Sequence, residues 1–241
     1  MQNLFFSAYG QPLIICDSAD FSSDSMARGA GLDGAADSKS GILSAWLRLD
    51  GGNGSALRIL NSAGDSLIFL RRATDNLIGI GADNSTSTEI LLLLSDTAYT
   101  AGATWLHILA SWNLATAAAH LYINDVEDLA AGPTLTDDTI DYTVADWVSG
   151  TSMDGCLAEV YFAPGQFLDF SVVTNRRKFV SSYLKPVYLG TDGSLPTGTA
   201  PIVYFHLADA EAVADFATNR GTGGDFTITG TLATGSTSPS D

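Results

Sequence analysis

The sequence predicts an all-β fold, an antiparallel sandwich of two sheets, and three observations carry the prediction. Short apolar segments recur between Gly, Asp, Ser and Asn punctuation, near the spacing of about 8 to 12 residues that marks sandwiches and barrels. Charged helix formers are scarce: the chain has three Lys, and 23 of its 27 acidic residues are turn-forming Asp. At 241 residues and 46% hydrophobic, the chain can fill one large core, and all-β sandwiches of this size are commonly single domains.

Taken in order, the strand-length apolar segments are 13–16, 42–49, 56–60, 67–70, 77–80, 89–94, 106–112, 118–123, 156–162 and 202–207. In 42–49, Leu43, Ala45, Leu47 and Leu49 fall on one face and Ser44, Trp46 and Arg48 on the other, which reads as a half-buried strand entering a Gly-rich turn. Segments 105–112 and 118–125 are separated by only five residues, so they are expected to form an antiparallel hairpin. His107 and His120 sit near opposite ends of that pair among apolar neighbours and read as hydrogen-bonded structural residues. One segment breaks the β pattern. Over 171–183, Ser171 can cap while Val172, Val173, Phe179, Val180 and Tyr183 recur at helical spacing, with Pro186 beyond. This predicts one short helix, with Arg176, Arg177 and Lys178 on its solvated face. Residues 1–185 are thus expected to form the sandwich. Residues 186–241 read as a turn-rich extension with one or two extra strands, one of them at 226–229, and a polar tail. No period of about 20 to 50 residues repeats, which excludes solenoids and propellers.

A formal net charge of −16 repels nucleic acid and anionic membranes, so neither is expected as a partner. The longest strongly apolar run, 90–94, falls far short of the ~20 residues of a membrane span. The opening "MQNLFFSAYG" has neither the basic nor the long apolar region of a signal peptide, so assembly in a cytoplasm is expected. Cys16 and Cys156 lie in apolar strand segments and are expected to be packed free thiols.

Several segments line up with a known family. "ADFSSDSMAR" resembles the opening strand of laminin-G-like, concanavalin A-like jelly rolls, and "LSAWLRLD" resembles their Trp-bearing strand. "WLHILASWNLATAAAHLYINDVED" resembles the family's central hairpin through Trp105, His107, Trp112, Tyr122, Asn124 and Asp125. "DGCLAEVYF" resembles its closing strand through Gly155, Glu159 and Tyr161. The match spans residues 12–183 in the family's order and implies a jelly-roll sandwich. Glu127 stands where the family's turn has Gly. The stretch beyond Pro186 is similar to C-terminal extensions of laminin-G-like proteins of tailed phages and prophages. That resemblance implies a virion part (head decoration, fibre or tail-associated protein) displayed on the virion surface and assembled in the host cytoplasm. Its partners would be capsid or tail proteins, with the chain itself a homo-oligomer such as a trimer.

The same fold hosts glycosidases, so the site must decide. The paired-carboxylate strand of related glucanases, E-x-D-x-E or E-x-D-x-x-E, is absent. Glu159 stands alone and reads as the structural acid of the closing strand. H-E-x-x-H, G-x-S-x-G and paired C-x-x-C are absent too, so no catalysis, cofactor or metal is expected. Asp83, Asp125 and Asp154 lie near strand ends without calcium-loop spacing, and "GIGADN" and "GTGGDF" read as turns. Sugar recognition needs an aromatic platform beside Asp or Asn, and "DYTVADWVSG" offers Tyr142, Asp146 and Trp147 in a loop-like stretch; the alternative is that Trp147 closes the edge of the core. The expected function is a non-catalytic structural module of a phage-like virion. The alternative is a glycan-binding adhesin or receptor-binding module, with cell-surface glycans as ligand; a glycoside hydrolase ranks below both.

Overall fold

A computed structural model describes residues 13–22, 24–54, 57–62, 67–72, 74–143 and 146–241, with the backbone alone described for 67–72. The described strands are β1 (Ala19–Asp20), β2 (Ser25–Ala27), β3 (Ser40–Leu49), β4 (Leu57–Ser62), β5 (Leu67–Arg72), β6 (Leu77–Asp83), β7 (Glu89–Ala98) and β8 (Leu106–Asn113). There follow β9 (Ala118–Ile123), β10 (Val126–Glu127), β11 (Thr134–Leu135), β12 (Trp147–Ser149), β13 (Gly155–Pro164), β14 (Val203–Phe205), β15 (Thr227–Thr229) and β16 (Ala233–Thr234). They form two sheets of eight strands. One runs β10-β9-β8-β3-β13-β1-β16, with β14 also paired to β13; the other runs β11-β7-β6-β5-β4-β12-β2-β15. The fold is an all-β antiparallel sandwich of the jelly-roll kind.

The core lies between the sheets. Leu43, Ala45 and Leu47 of β3, Ile108, Ala110 and Trp112 of β8, and Leu157 and Phe162 of β13 meet Ile59, Ile78, Ile80, Leu91 and Leu93 of the other sheet. This is the inward face that alternation assigns to β3. The outward face of β3 is not solvated, however: Ser44, Trp46 and Arg48 are only 2%, 2% and 7% exposed. A third layer covers it. Phe170, Phe179, Val187 and Leu189 pack on Ile42, Leu109, Tyr122, Tyr161 and Tyr204, while Cys16 and Val180 pack on Trp46 and Ala158. Both thiols are free and buried. Burial pushes the Cys156 thiol up to about 11, and burial together with the Glu159 charge raises that of Cys16, so neither is a ready thiolate.

Three local expectations are corrected here. The helix shrinks to α1 (Val173–Arg176), four residues. Ser171 does not cap it, because its N–H and Oγ donate to Asp169 Oδ1 at 2.9 and 2.6 Å in a local turn. Nor do the arginines point to water: Arg176 and Arg177 both donate to Asp125, Arg177 is 8% exposed, and the Arg176 guanidinium lies 4.5 Å from the Tyr122 ring centre. "GIGAD" is strand β6 and not a turn. The β9–β10 turn needs no glycine at Glu127, since Asn124 and Asp125 take φ of 51° and 64° and close a two-residue turn with Ile123 opposite Val126.

The boundary at 185 is not a break. β14 pairs with β13, β15 with β2 and β16 with β1, and Phe205, Phe216, Phe226 and Leu232 belong to the main core. Residues 186–241 complete the sandwich instead of extending it.

Candidate functional site

At one end of the sandwich, β3 and β7 finish and β8 and β13 begin, which gathers the loops 50–54, 74–76, 99–105 and 150–154. Backbone and amide hydrogen bonds tie these loops together. Gly102 N–H donates to Leu49 O at 2.8 Å, Ala101 N–H to Asn53 Oδ1 at 2.7 Å, Gly54 N–H to Asn76 Oδ1 at 2.9 Å and Tyr99 N–H to Asn76 O at 2.8 Å. Asp50 and Gly51 donate to Asp154 O at 2.9 and 3.2 Å. A loop end pinned in this way is pre-shaped, which lowers the ordering cost of binding.

At this end lies a cleft of about 240 Å³, lined by strand ends and the 99–105 loop. Leu49, Ala98 and Leu106 supply apolar strand ends, and Tyr99, Thr100, Gly102 and Thr104 supply the loop side. The Tyr99 ring is held from behind: its hydroxyl donates to Asp128 Oδ2 at 2.7 Å, while Asp128 Oδ1 accepts from Thr97 N–H and Oγ1 at 3.1 and 3.0 Å. Burial and the bond to Asp128 raise the Tyr99 phenol above its ordinary pKa, so it stays neutral. Trp105 lies next in sequence and is half-buried, its Nε1 donating to Thr237 Oγ1 at 3.2 Å and Arg48 standing 5.8 Å from its ring centre. The cleft lining holds no acid, histidine or cysteine. It can offer an apolar floor, an aromatic ring and hydroxyl groups.

The residues expected to bind sugar are placed differently. Tyr142 and Trp147 are both 0% exposed. Trp147 packs 5.8 Å from Phe162 ring to ring. Tyr142 Oη accepts a hydrogen bond from Trp112 Nε1–H and donates one to Ser40 O, each at 3.2 Å. Pairing of β12 with β4 and β2 turns Trp147 into the sandwich, and of the three only Asp146 is exposed, at φ 60°. The trio therefore presents no platform. Tyr99 went unnoticed in the sequence because "DTAYTAGATW" reads only as the polar end of a strand.

Other groups with reactive potential are already engaged. Glu159 sits in a bulge of β13, where the register shifts between Ala158 and Tyr161 and φ is 49°. Its carboxylate is 3% exposed and accepts from Tyr204 Oη at 2.9 Å and from His206 Nδ1. His107 is fully buried against Ser44 Oγ at 3.0 Å and Trp46, and burial lowers its pKa to about 3. His120 pairs with Asp169 at 3.2 Å. Of the strand-end acids, Asp125 is held by two arginines, and Asp154 lies over Gly51. Among the described residues, Asp20, Asp50 and Cys156 bring three donor atoms within 4.8 Å of one another. Both oxygens of Asp50, however, accept from Arg48 at 2.7 and 2.8 Å, so a guanidinium already fills the cation's place.

No family model and no curated protein matches the sequence. Among solved structures, the chain is similar to a protein of Bacteroides ovatus ATCC 8483 named as a candidate carbohydrate-binding protein. The TM-score is 0.64 at 12% identity, over 93% of this chain, which spans 60% of that protein's length. It is also similar to the heptameric SAP-like pentraxin of Limulus polyphemus, with a TM-score of 0.53 at 11% identity over 91% of this chain and 94% of that one. A likeness to the LG1-3 region of the laminin α2 chain, with a TM-score of 0.36 at 15% identity over 60% and 30% of the two chains, is too low to add to these. At such identities the likeness shows a lectin-like jelly roll and nothing of its ligand.

Proposed function

We propose that the protein is a non-catalytic binding module that takes a sugar ring in the cleft beside Tyr99. The observation that carries this reading is the lining itself: a fixed aromatic ring and three apolar strand ends beside the hydroxyls of Thr100 and Thr104. A pyranose has the matching surface, with a C–H face for the ring and floor and hydroxyls for the rim. At about 240 Å³ the cleft lies below the ~300–1,000 Å³ of drug-sized sites, which suits a terminal sugar better than the middle of a polymer. The sandwich it shares with the Bacteroides ovatus protein supports the reading, and so does the occupied state of Glu159, whose two oxygens face Tyr204 and His206. Display on a virion, with capsid or tail proteins as partners, rests on the sequence resemblance alone. The stretch beyond Pro186 that carries this resemblance contributes Phe205, Phe216, Phe226 and Leu232 to the main core.

A glycan array with the wild type and Tyr99→Ala tests the reading. Binding by the wild type that falls at least tenfold in the variant, with near-ultraviolet circular dichroism retained, is the expected result. A wild type that binds no sugar, or a variant that binds as well, overturns it.

A further inference from the structure

We propose that Asn53 is a site of spontaneous deamidation that the native fold holds shut, with the Asn76 side chain as its guard. Asn53–Gly54 is the single Asn–Gly step in the chain, and both residues are exposed. In such a step the Gly54 amide nitrogen attacks Asn53 Cγ. The N–Cγ bond forms, the Cγ–Nδ2 bond breaks, and ammonia leaves with the proton that the nitrogen gives up. Water then opens the succinimide ring at either carbonyl, giving aspartate or isoaspartate. Glycine favours the closure because no Cβ obstructs the nitrogen.

Closure needs the two reacting atoms aligned and roughly 3–3.5 Å apart. The fold commits both groups elsewhere. Gly54 N–H donates to Asn76 Oδ1 at 2.9 Å, so the nitrogen must turn from Asn76 and surrender a hydrogen-bonded proton before it can attack. Asn53 Oδ1 accepts from Ala101 N–H at 2.7 Å, which ties the carboxamide to a loop 48 residues away. A donor on that oxygen stabilises the oxyanion of the addition step, but only after the nitrogen has been released. The guard is itself anchored: Asn76 O accepts from Tyr99 N–H at 2.8 Å, and Asp75 Oδ1 accepts from Leu77 N–H at 3.1 Å. Reaction is therefore confined to the fraction of molecules in which the Gly54–Asn76 bond is open.

The site is joined to the cleft. Asn53 Oδ1 and Asn76 O hold Ala101 and Tyr99, the two neighbours of Thr100 in the lining. Isoaspartate routes the main chain through Cβ and Cγ, which takes the Oδ1 acceptor from its place beside Ala101.

The test incubates wild type at mildly alkaline pH, folded and in guanidinium chloride, and follows the Asn53 peptide by mass spectrometry for replacement of NH2 by OH and for isoaspartate. Asn76→Gly, which suits the φ of 65° at that position and deletes the acceptor, is followed in its folded state. Folded wild type should deamidate at Asn53 roughly tenfold more slowly than either the unfolded chain or folded N76G. Equal rates in folded and unfolded wild type, or an N76G chain that reacts no faster than wild type, overturns the proposal. Near-ultraviolet circular dichroism verifies that N76G is folded; if it is not, the comparison of folded with unfolded wild type decides alone.

Discussion

Gly41 and Gly102 show how differently this sandwich treats the same residue. Gly41 lies in β3 opposite Trp112, and a Cβ there would come within 2.3 Å of the indole, which is itself 0% exposed and cannot move aside. Gly102 lies in the cleft loop, where a Cβ would meet nothing within 4 Å. Gly41→Ala is therefore expected to cost about 1–3 kcal/mol through overpacking, while Gly102→Ala stays within ~0.5 kcal/mol of wild type. Thermal or denaturant unfolding of the two variants checks this, and equal stabilities would refute the close approach. A similar contrast separates Tyr99 from Tyr142. Each hydroxyl is hydrogen-bonded, but Tyr142 is enclosed between Trp112 and Phe162, whereas Tyr99 is anchored by its tip and leaves its ring half-exposed at the cleft. An aromatic residue in a loop-like stretch of sequence says nothing about which way it faces; pairing of the neighbouring strand decides that.

At the scale of elements, the long strands were legible because the alternation of β3 and the Gly/Asp punctuation act locally. β3, β7, β8, β9 and β13 fall where apolar runs predict them. The three-residue strands of the C-terminal segment were not legible as part of the sandwich, since Val203–Phe205 and Thr227–Thr229 gain their pairing from β13 and β2, which are more than 40 residues distant. The overlong helix has the same cause. Phe179 and Val180 repeat at helical spacing, yet they are buried against the outer face of the first sheet through a turn and a bridge between Val180 and Pro186. The cleft was legible only in its parts, because its lining comes from β3, β7, β8 and one loop. The integration of the C-terminal segment has a direct consequence. Removing 186–241 strips Phe205, Phe216, Phe226 and Leu232 from the core. Losing a buried Phe or Leu side chain costs ~2–5 kcal/mol, so four such losses approach or exceed the ~5–15 kcal/mol of total stability. The fragment 1–185 is expected to show no cooperative unfolding transition; a soluble fragment with native near-ultraviolet circular dichroism would show that the segment is separable after all.

For the whole molecule, the buried charges set the response to pH. His107 is fully buried, and burial lowers its pKa to about 3, whereas an unfolded histidine titrates near 6.5. Between those values the unfolded chain binds a proton that the folded chain refuses, so this contribution to stability is complete above pH ~6.5 and is lost as pH falls towards 3. At Asp125, burial raises the carboxyl pKa, but hydrogen bonds from Arg177 and Arg176 outweigh it and the net direction is down. Its contribution is present above the ordinary carboxylate pKa of ~3.9 and fades below it. Self-repulsion from the charge of −16 acts the other way, easing as the many exposed aspartates protonate. That relief is shared by every variant, so a comparison between two chains cancels it. Against His107→Gln, which keeps a hydrogen-bonding group beside Ser44 without a titrating ring, wild type should lose up to about 1.4 kcal/mol more for each pH unit between 6 and 4. Urea unfolding of both chains across that range measures the difference. Parallel curves would mean that His107 takes up its proton in the folded state, and that the sheet surface around Ser44 and Trp46 is open to water.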